Sequence, residues 1–306
     1  MTRCGASNSS SSGQVLGKVL ETSAKIALGG AAVLGALYLA LSPRIASRLY
    51  GGVMFHPHQF PDDPELLDIE GVTREEIFFV SNKLRLHGWY FHVPKSTKTL
   101  LFSHGNTGNI LNRETMIGLQ LKAGYSVFIY DYRGYGRSEG NASVFGIVAD
   151  GCAAYDYLIQ QRDLKPEQIV LYGESLGAAV ACQIAARREA AGIVLQSGFS
   201  SLRKIGMETI PFIRIYPKFL LPQPELDSAA VLERDHPPLL IIHGKKDTVV
   251  PFTHADEIYR RALEPKHFVP LTRCGHNDIP YLAPDEYIGA LRTFAGTLKS
   301  GTTAGA

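Results

Sequence analysis

The sequence lacks an excess of charge of either sign. Its 31 Lys and Arg stand against 29 Asp and Glu, a net charge of +2. That balance gives no general attraction for nucleic acid, and no nucleic-acid partner is expected. Cysteine is scarce: Cys4, Cys152, Cys182 and Cys274, with no CxxC pair among them. Zinc ribbons and thioredoxin-type motifs are therefore excluded, and the four are read as free thiols. Cys4 stands in a polar leader; lipidation is a second reading of it, although it lies well before the apolar segment. His56 and His58, in FHPHQF, have no third ligand nearby, so no metal is expected there. No internal repeat is visible. What remains is an ordinary globular composition, 45% hydrophobic over 306 residues, which allows one large domain or two small ones.

The N-terminal quarter differs from the rest. Residues 1–25, with the run Ser9-Ser10-Ser11-Ser12, are polar and low in complexity, and read as a disordered leader. Residues 26–43, IALGGAAVLGALYLALSP, carry no charge, and Lys25, Arg44 and Arg48 flank them. About 20 apolar residues cross a bilayer's hydrocarbon layer, so this run is read as a single transmembrane signal anchor. A cleaved signal peptide is a competing reading, although no clean A-x-A site follows. The flanking basic residues are too evenly divided to orient the span. Residues 44–74 read as a linker and approach.

From Glu75 onward short apolar runs alternate with helical stretches. The strands expected are Glu76–Val80, Leu84–Val93, Thr99–Ser103, Tyr125–Asp131, Gln168–Tyr172, Gly192–Gln196, Leu239–His243 and His267–Leu271. The first two read as a hairpin across Ser81-Asn82-Lys83. Helices are expected over Asn109–Lys122, Ser143–Gln160, Ser175–Arg188, Phe252–Leu263 and Asp285–Leu298. Alternation of this kind predicts an α/β domain over 75–300, a mostly parallel eight-stranded sheet with helices on both faces. The stretch 199–235 breaks the rhythm with Pro211, Pro217, Pro222 and Pro224 among Ile, Phe, Leu and Tyr. It is read as a small cap over the site, the other reading being a long irregular crossover.

The chemistry centres on Tyr172-Gly173-Glu174-Ser175-Leu176-Gly177. G-x-S-x-G is a short pattern, but here a strand ends on it and an Ala-rich helix starts from it, the setting of a nucleophile elbow. Ser175 is the expected nucleophile. A serine hydroxyl needs a base at neutral pH, and His276, in a Gly-containing loop after the last strand, is placed to serve. Asp247, after strand LLIIH, is the carboxylate that would hold the imidazole tautomer. Asp278 could bind His276 locally, but reads as a structural loop residue. His254 reads as a surface residue and His104 as a structural hydrogen-bonder. An oxyanion hole needs two N–H groups. The backbone N–H of Leu176 and that of Asn106, in HGNTGN after strand TLLFS, are the candidates, with the Asn106 side chain not used. No cofactor or metal is required.

HGNTGN, YDYRGYGRSEG, YGESLGAAVA, HGKKDTVVP and GHND, in this order, resemble the α/β-hydrolase superfamily over Phe55–Leu298. The likeness is greatest to its membrane-anchored α/β-hydrolase-domain-containing serine hydrolases. The resemblance implies an eight-stranded α/β-hydrolase sheet with a catalytic triad in the order Ser, Asp, His. It makes the loop holding Arg133 and Arg137 a structural rim; binding of an acidic substrate is the alternative. Relatives that deacylate proteins carry a cysteine-rich N-terminus, which Cys4 alone does not reproduce. The function expected is a membrane-anchored, single-pass serine hydrolase, acting on an apolar acyl ester or thioester through an acyl-enzyme. A peptidase or amidase with the same triad, or a non-catalytic membrane scaffold, are the alternatives. Dehalogenase and epoxide hydrolase chemistry is disfavoured, because both use a carboxylate where Ser175 stands.

Overall fold

A computed structural model of the chain describes residues 9–61 and 71–298. Eight strands form one sheet: β1 (Thr73–Ser81), β2 (Leu84–His92), β3 (Thr99–Ser103), β4 (Ser126–Tyr130), β5 (Ile169–Glu174), β6 (Gly192–Gln196), β7 (Leu239–Gly244) and β8 (Lys266–Leu271). Their spatial order is β8-β7-β6-β5-β3-β4-β2-β1. β1 and β2 run antiparallel, β2 meets β4 antiparallel, and every other pairing is parallel. The sheet is therefore mixed at one edge and parallel elsewhere, as the pattern of apolar runs predicts. The hairpin turn is made by Asn82 and Lys83, both with positive φ (47° and 69°). That backbone matches the twist of the two strands it joins.

β3, β4 and β6 are buried at every position, which explains their unbroken apolar sequences. Such strands need helices on both faces. On one side lie α4 (Val144–Gln161), α5 (Leu176–Ala185), α7 (Ser228–Leu232) and α8 (Phe252–Arg261), which bury Ile147, Val180, Ala229 and Ile258. On the other lie α3 (Glu114–Lys122), α9 (Ile279–Leu282) and α10 (Pro284–Thr297), with Ile117, Ile279 and Leu291 inside. Ser143 caps α4 by accepting the Gly146 N–H. The loop residue Arg133 is clamped by the fully buried Asp150 of α4, its Nη2 lying 2.7 Å from Oδ1. Arg137 pairs with Glu76. Both arginines are thus tied to carboxylates of the fold, as a structural rim requires.

The segment 199–235 holds α6 (Leu202–Thr209), two short 3-10 turns at Pro211–Ile215 and Lys218–Leu220, and α7. The prolines keep each piece short, since none can donate an N–H to a continuing helix.

The N-terminus departs from a disordered leader. Helix α1 runs from Ser9 to Ala40, so residues 9–25 are helical; residues 1–8, with Cys4, lie outside the described residues. The sequence Gln14–Lys25 contains no Pro, and Glu21 pairs with Lys25 one turn on, at 2.7 Å. The helix therefore continues upstream from the apolar run. Gln14–Ala40 is long and apolar enough to cross a membrane, and its most apolar window is wholly unburied. The helix stops before Ser42-Pro43, where a proline disfavours helical backbone in the residue ahead of it. A second helix, α2 (Ser47–Met54), leads on to the sheet.

Candidate active site

Ser175 sits between β5 and α5 with φ 53° and ψ −113°, a left-handed backbone that L-residues rarely adopt. The close approach of strand and helix enforces it. A Cβ on Gly173 would overlap the Gly177 carbonyl, and a Cβ on Gly177 would overlap the Ser103 carbonyl of β3. The two glycines of the motif are therefore the residues that let α5 start directly over the sheet. The Ser175 N–H is fixed by the Gln196 carbonyl at 2.9 Å. The turn also orients Glu174, whose carboxylate receives the Arg113 Nε–H at 2.8 Å. Arg113 in turn holds the Thr107 carbonyl, so this bridge joins the Ser175 turn to the loop after β3. Nothing in the spacing of Arg113 and Glu174 could have foretold it.

The three residues proposed to act together meet. His276 Nε2 lies 3.1 Å from Ser175 Oγ, and His276 Nδ1 lies 2.7 Å from Asp247 Oδ2. Asp247 Oδ1 accepts the N–H groups of Val249 (2.9 Å) and Val250 (2.8 Å). Burial works to raise the Asp247 carboxyl, but hydrogen bonds from His243 and His276 outweigh it and hold it well below the usual carboxylate range. An ionised carboxylate only accepts, so the proton sits on His276 Nδ1, and Nε2 is left to accept from Ser175. Asp278 is not part of this line; its Oδ1 accepts the Gly275 N–H at 2.7 Å and shapes the loop that carries His276.

Both candidate oxyanion residues border the same cavity as Ser175. Leu176 is the first residue of α5, so its N–H has no acceptor within the helix. Asn106 has its other groups occupied. Its carbonyl accepts from the His56 N–H and the Tyr135 hydroxyl, and its Nδ2 donates to the Met54 carbonyl at 3.0 Å. The side chain is thus used, but to hold the N-terminal segment.

His104 is structural. It is fully buried and its Nδ1–H donates to the Gly105 carbonyl at 2.7 Å. Burial, reinforced by the nearby Arg113 charge, pushes it down to about 3 against that hydrogen bond, so it stays neutral. His56 and His58 serve through their backbones. His56–Pro57 pairs with Thr107–Gly108, bracing the loop that carries Asn106.

Two features differ from what the sequence leads one to expect. The stretch read as a linker is built into the site: Tyr50, Val53 and Met54, together with Pro43 at the end of the apolar run, line the cavity, opposite cap residues Ile205, Ile210, Ile213 and Leu221. The cavity measures about 350 Å³, at the lower end for small-molecule sites. His254 is fully buried rather than on the surface. It faces Ser200 (Nδ1 to Oγ, 2.9 Å) and Glu208 (Nε2 to Oε2, 2.9 Å). Its spacing to Ile258 and Ala262, which are also buried, is the signal that would have placed it on the inner face of α8.

Comparison with known proteins bears on the family and the fold. A family model described as "Serine aminopeptidase, S33" matches residues 94–224. An uncharacterized protein of Mycobacterium tuberculosis is 36% identical over 233 residues, 76% of this chain and 82% of its own length. The human "Alpha/beta hydrolase domain-containing protein 17B" is 31% identical over 202 residues, 66% of this chain and 67% of that one. Among solved structures, a Pyrococcus furiosus esterase superposes with a TM-score of 0.65 at 22% identity, covering 79% of this chain and 99% of that one. An acylaminoacyl peptidase of Pyrococcus horikoshii gives 0.57 at 14% identity, covering 78% of this chain and 43% of that one. At these identities the two structures speak to the fold alone.

Proposed function

The chain belongs to the α/β-hydrolase superfamily, and from that premise we propose that it is a membrane-anchored serine hydrolase of carboxylic esters or thioesters. The observation that carries the reading is the unbroken hydrogen-bonded line Ser175–His276–Asp247 at the wall of an apolar cavity. Ser175 Oγ attacks the acyl carbonyl while its proton moves to His276 Nε2. The N–H groups of Leu176 and Asn106 receive the charge that develops on the carbonyl oxygen. His276 then protonates the departing alcohol or thiol. A water that gives its proton to the same nitrogen opens the acyl-enzyme, releasing the acid and restoring Ser175. Asp247 stays ionised throughout and balances the imidazolium.

The helix α1 serves as a retained anchor in this reading. The Tyr38 hydroxyl donates to the Ile215 carbonyl at 2.7 Å, the Tyr38 ring stacks on Tyr216, and the Arg44 N–H donates to the Leu220 carbonyl. Cleavage after the apolar run would discard the Tyr38 contacts with the cap, which favours an anchor over a removed signal peptide. The description of the matching family model favours an aminopeptidase as the second reading. Such an enzyme needs a carboxylate for the substrate's ammonium. The acids at the cavity, Glu225 and Asp227, already engage Lys218 and the Ala230 N–H.

The test is labelling by a fluorophosphonate, alongside turnover of p-nitrophenyl butyrate and of an aminoacyl p-nitroanilide. Wild type should label and cleave the ester, and Ser175→Ala should do neither. Full labelling of Ser175→Ala removes the nucleophile assignment, and faster turnover of the anilide favours the peptidase.

A further inference from the structure

The cavity is closed on one side by the segment that leaves the membrane helix. Pro43 follows α1 by three residues, and Tyr50, Val53 and Met54 belong to α2; all four line the cavity. The link is covalent and short, so the cavity wall lies within a few residues of the bilayer surface wherever α1 spans it. Around that wall the surface is apolar. Leu49 and Val53 of α2 are exposed at 64% and 56%, and Phe212 and Phe219 of the cap at 57% and 64%. Tyr50 and Phe212 bring the two elements together, with ring centroids 6.4 Å apart. An exposed apolar surface shared by α2 and the cap, next to a span, is what an interfacial element presents to a bilayer.

The charges on these elements have a sign. Arg48 of α2 and Arg203 and Arg214 of the cap are exposed, and among the described residues none has a carboxylate within ion-pair distance. Arg203 itself lines the cavity. Lys218 at the same opening is committed to Glu225, 3.7 Å away. Among the described residues that line the cavity, Arg203 is thus the cation without a carboxylate partner, and such a guanidinium suits a phosphate or carboxylate brought by the substrate.

We propose that the substrate is a single-chain lipid ester with an anionic headgroup, taken directly from the bilayer. Its acyl chain lies between α2 and the cap, and its headgroup meets Arg203. This rests on the serine hydrolase reading above and specifies its substrate. The cavity volume, about 350 Å³, is of the order of a single acyl chain and too small for two. The reaction is hydrolysis: the ester C–O bond breaks, the glycerol oxygen takes the proton from His276, and water supplies the oxygen of the released fatty acid. The N-terminal segment therefore selects the substrate as well as retaining the enzyme at the membrane.

The experiment uses the full chain in phosphatidylcholine vesicles. They contain palmitoyl lysophosphatidylglycerol, palmitoyl lysophosphatidylcholine or an S-palmitoyl peptide, and fluorophosphonate labelling is read in parallel. Wild type should release palmitate from lysophosphatidylglycerol at least tenfold faster than from the other two. Arg203→Gln should reduce that preference about tenfold. Val53→Trp, which fills the α2 wall, should shift the longest p-nitrophenyl ester turned over to a shorter chain. Labelled wild type that ignores lysophosphatidylglycerol, or prefers the peptide, overturns the proposal and leaves the hydrolase reading standing. So does an unchanged headgroup preference in Arg203→Gln. Unlabelled, inactive wild type removes both.

Discussion

Among the described residues two serine–histidine–carboxylate lines stand out, and they differ in geometry and in access to the cavity. In the first, Ser175 meets His276 Nε2 and Asp247 meets Nδ1. In the second the ring is reversed: Ser200 meets His254 Nδ1, and Glu208 meets Nε2. The Ser200 backbone N–H also donates to His254 Nδ1 at 3.2 Å, so that nitrogen carries no proton. The Ser200 hydroxyl has a further acceptor in Glu257, 2.9 Å away, and Lys204 binds the same carboxylate. Ser200 is 1% exposed, and it is not among the residues that line the cavity. The second line roots the cap on α8. Proximity of the three residue types therefore does not define an active site. What sets the first line apart is a serine with positive φ at the wall of a cavity.

The sharpest way to break this contrast is to remove each serine. Ser175→Ala should lower p-nitrophenyl butyrate turnover by about 10⁴- to 10⁶-fold, whereas Ser200→Ala should change it less than about threefold, as a substitution outside the reacting centre. The reverse order in steady-state rates would exchange the roles of the two lines. The carboxylates extend the comparison. Asp247→Asn should cost about 10⁴-fold in kcat by allowing the wrong His276 tautomer. Glu208→Gln keeps an acceptor oxygen for the His254 ring N–H and should cost only a few-fold. Equal losses in the two variants would mean that the cap root takes part in the chemistry.

Stability should rank the two histidines the other way. His254→Ala leaves the buried Ser200 N–H without its acceptor and should destabilise by about 2–3 kcal/mol in urea unfolding. His276→Ala, at a solvent-reached site, should change stability by less than about 1 kcal/mol. A more damaging His276 substitution would contradict the division of labour. The smallest effect is a pH dependence. Burial lowers His254 below its ordinary value of 6.5, against the opposing pull of Glu208. The unfolded chain then takes up a proton that the folded one refuses. Stability should be full above about pH 6.5 and fall as the pH drops toward the folded value, by at most about 1.4 kcal/mol per pH unit. A residual slope of the same size in His254→Gln would assign it to another group.

Much of the fold was legible because it is written locally. Unbroken apolar runs such as TLLFS and GIVLQ can be buried only between two helical layers, and their bounds match β3 and β6. The convergence of Ser175, Asp247 and His276 was legible for a related reason: each follows the end of a parallel strand, where this topology gathers loops. What was not legible depends on contacts between distant parts of the chain. Tyr50 and Val53 read as linker residues until the cap is set opposite them. The Asn106 side chain had no visible task until it met the Met54 carbonyl. His254 reads as a surface residue until Ser200 and Glu208 of the cap enclose its ring.

The two-residue ladder His56–Pro57 with Thr107–Gly108 bears on biosynthesis. A ribosome delivers α1 and α2 first, the Asn106 loop next, Ser175 later, and Asp247 and His276 near the end. Ser175 and His276 are separated by 101 positions, and closing so long a loop is among the later events of folding. A chain made in this order holds Ser175 before it holds His276, so the serine stays without that hydrogen-bond partner until the last strand and its loop have been made.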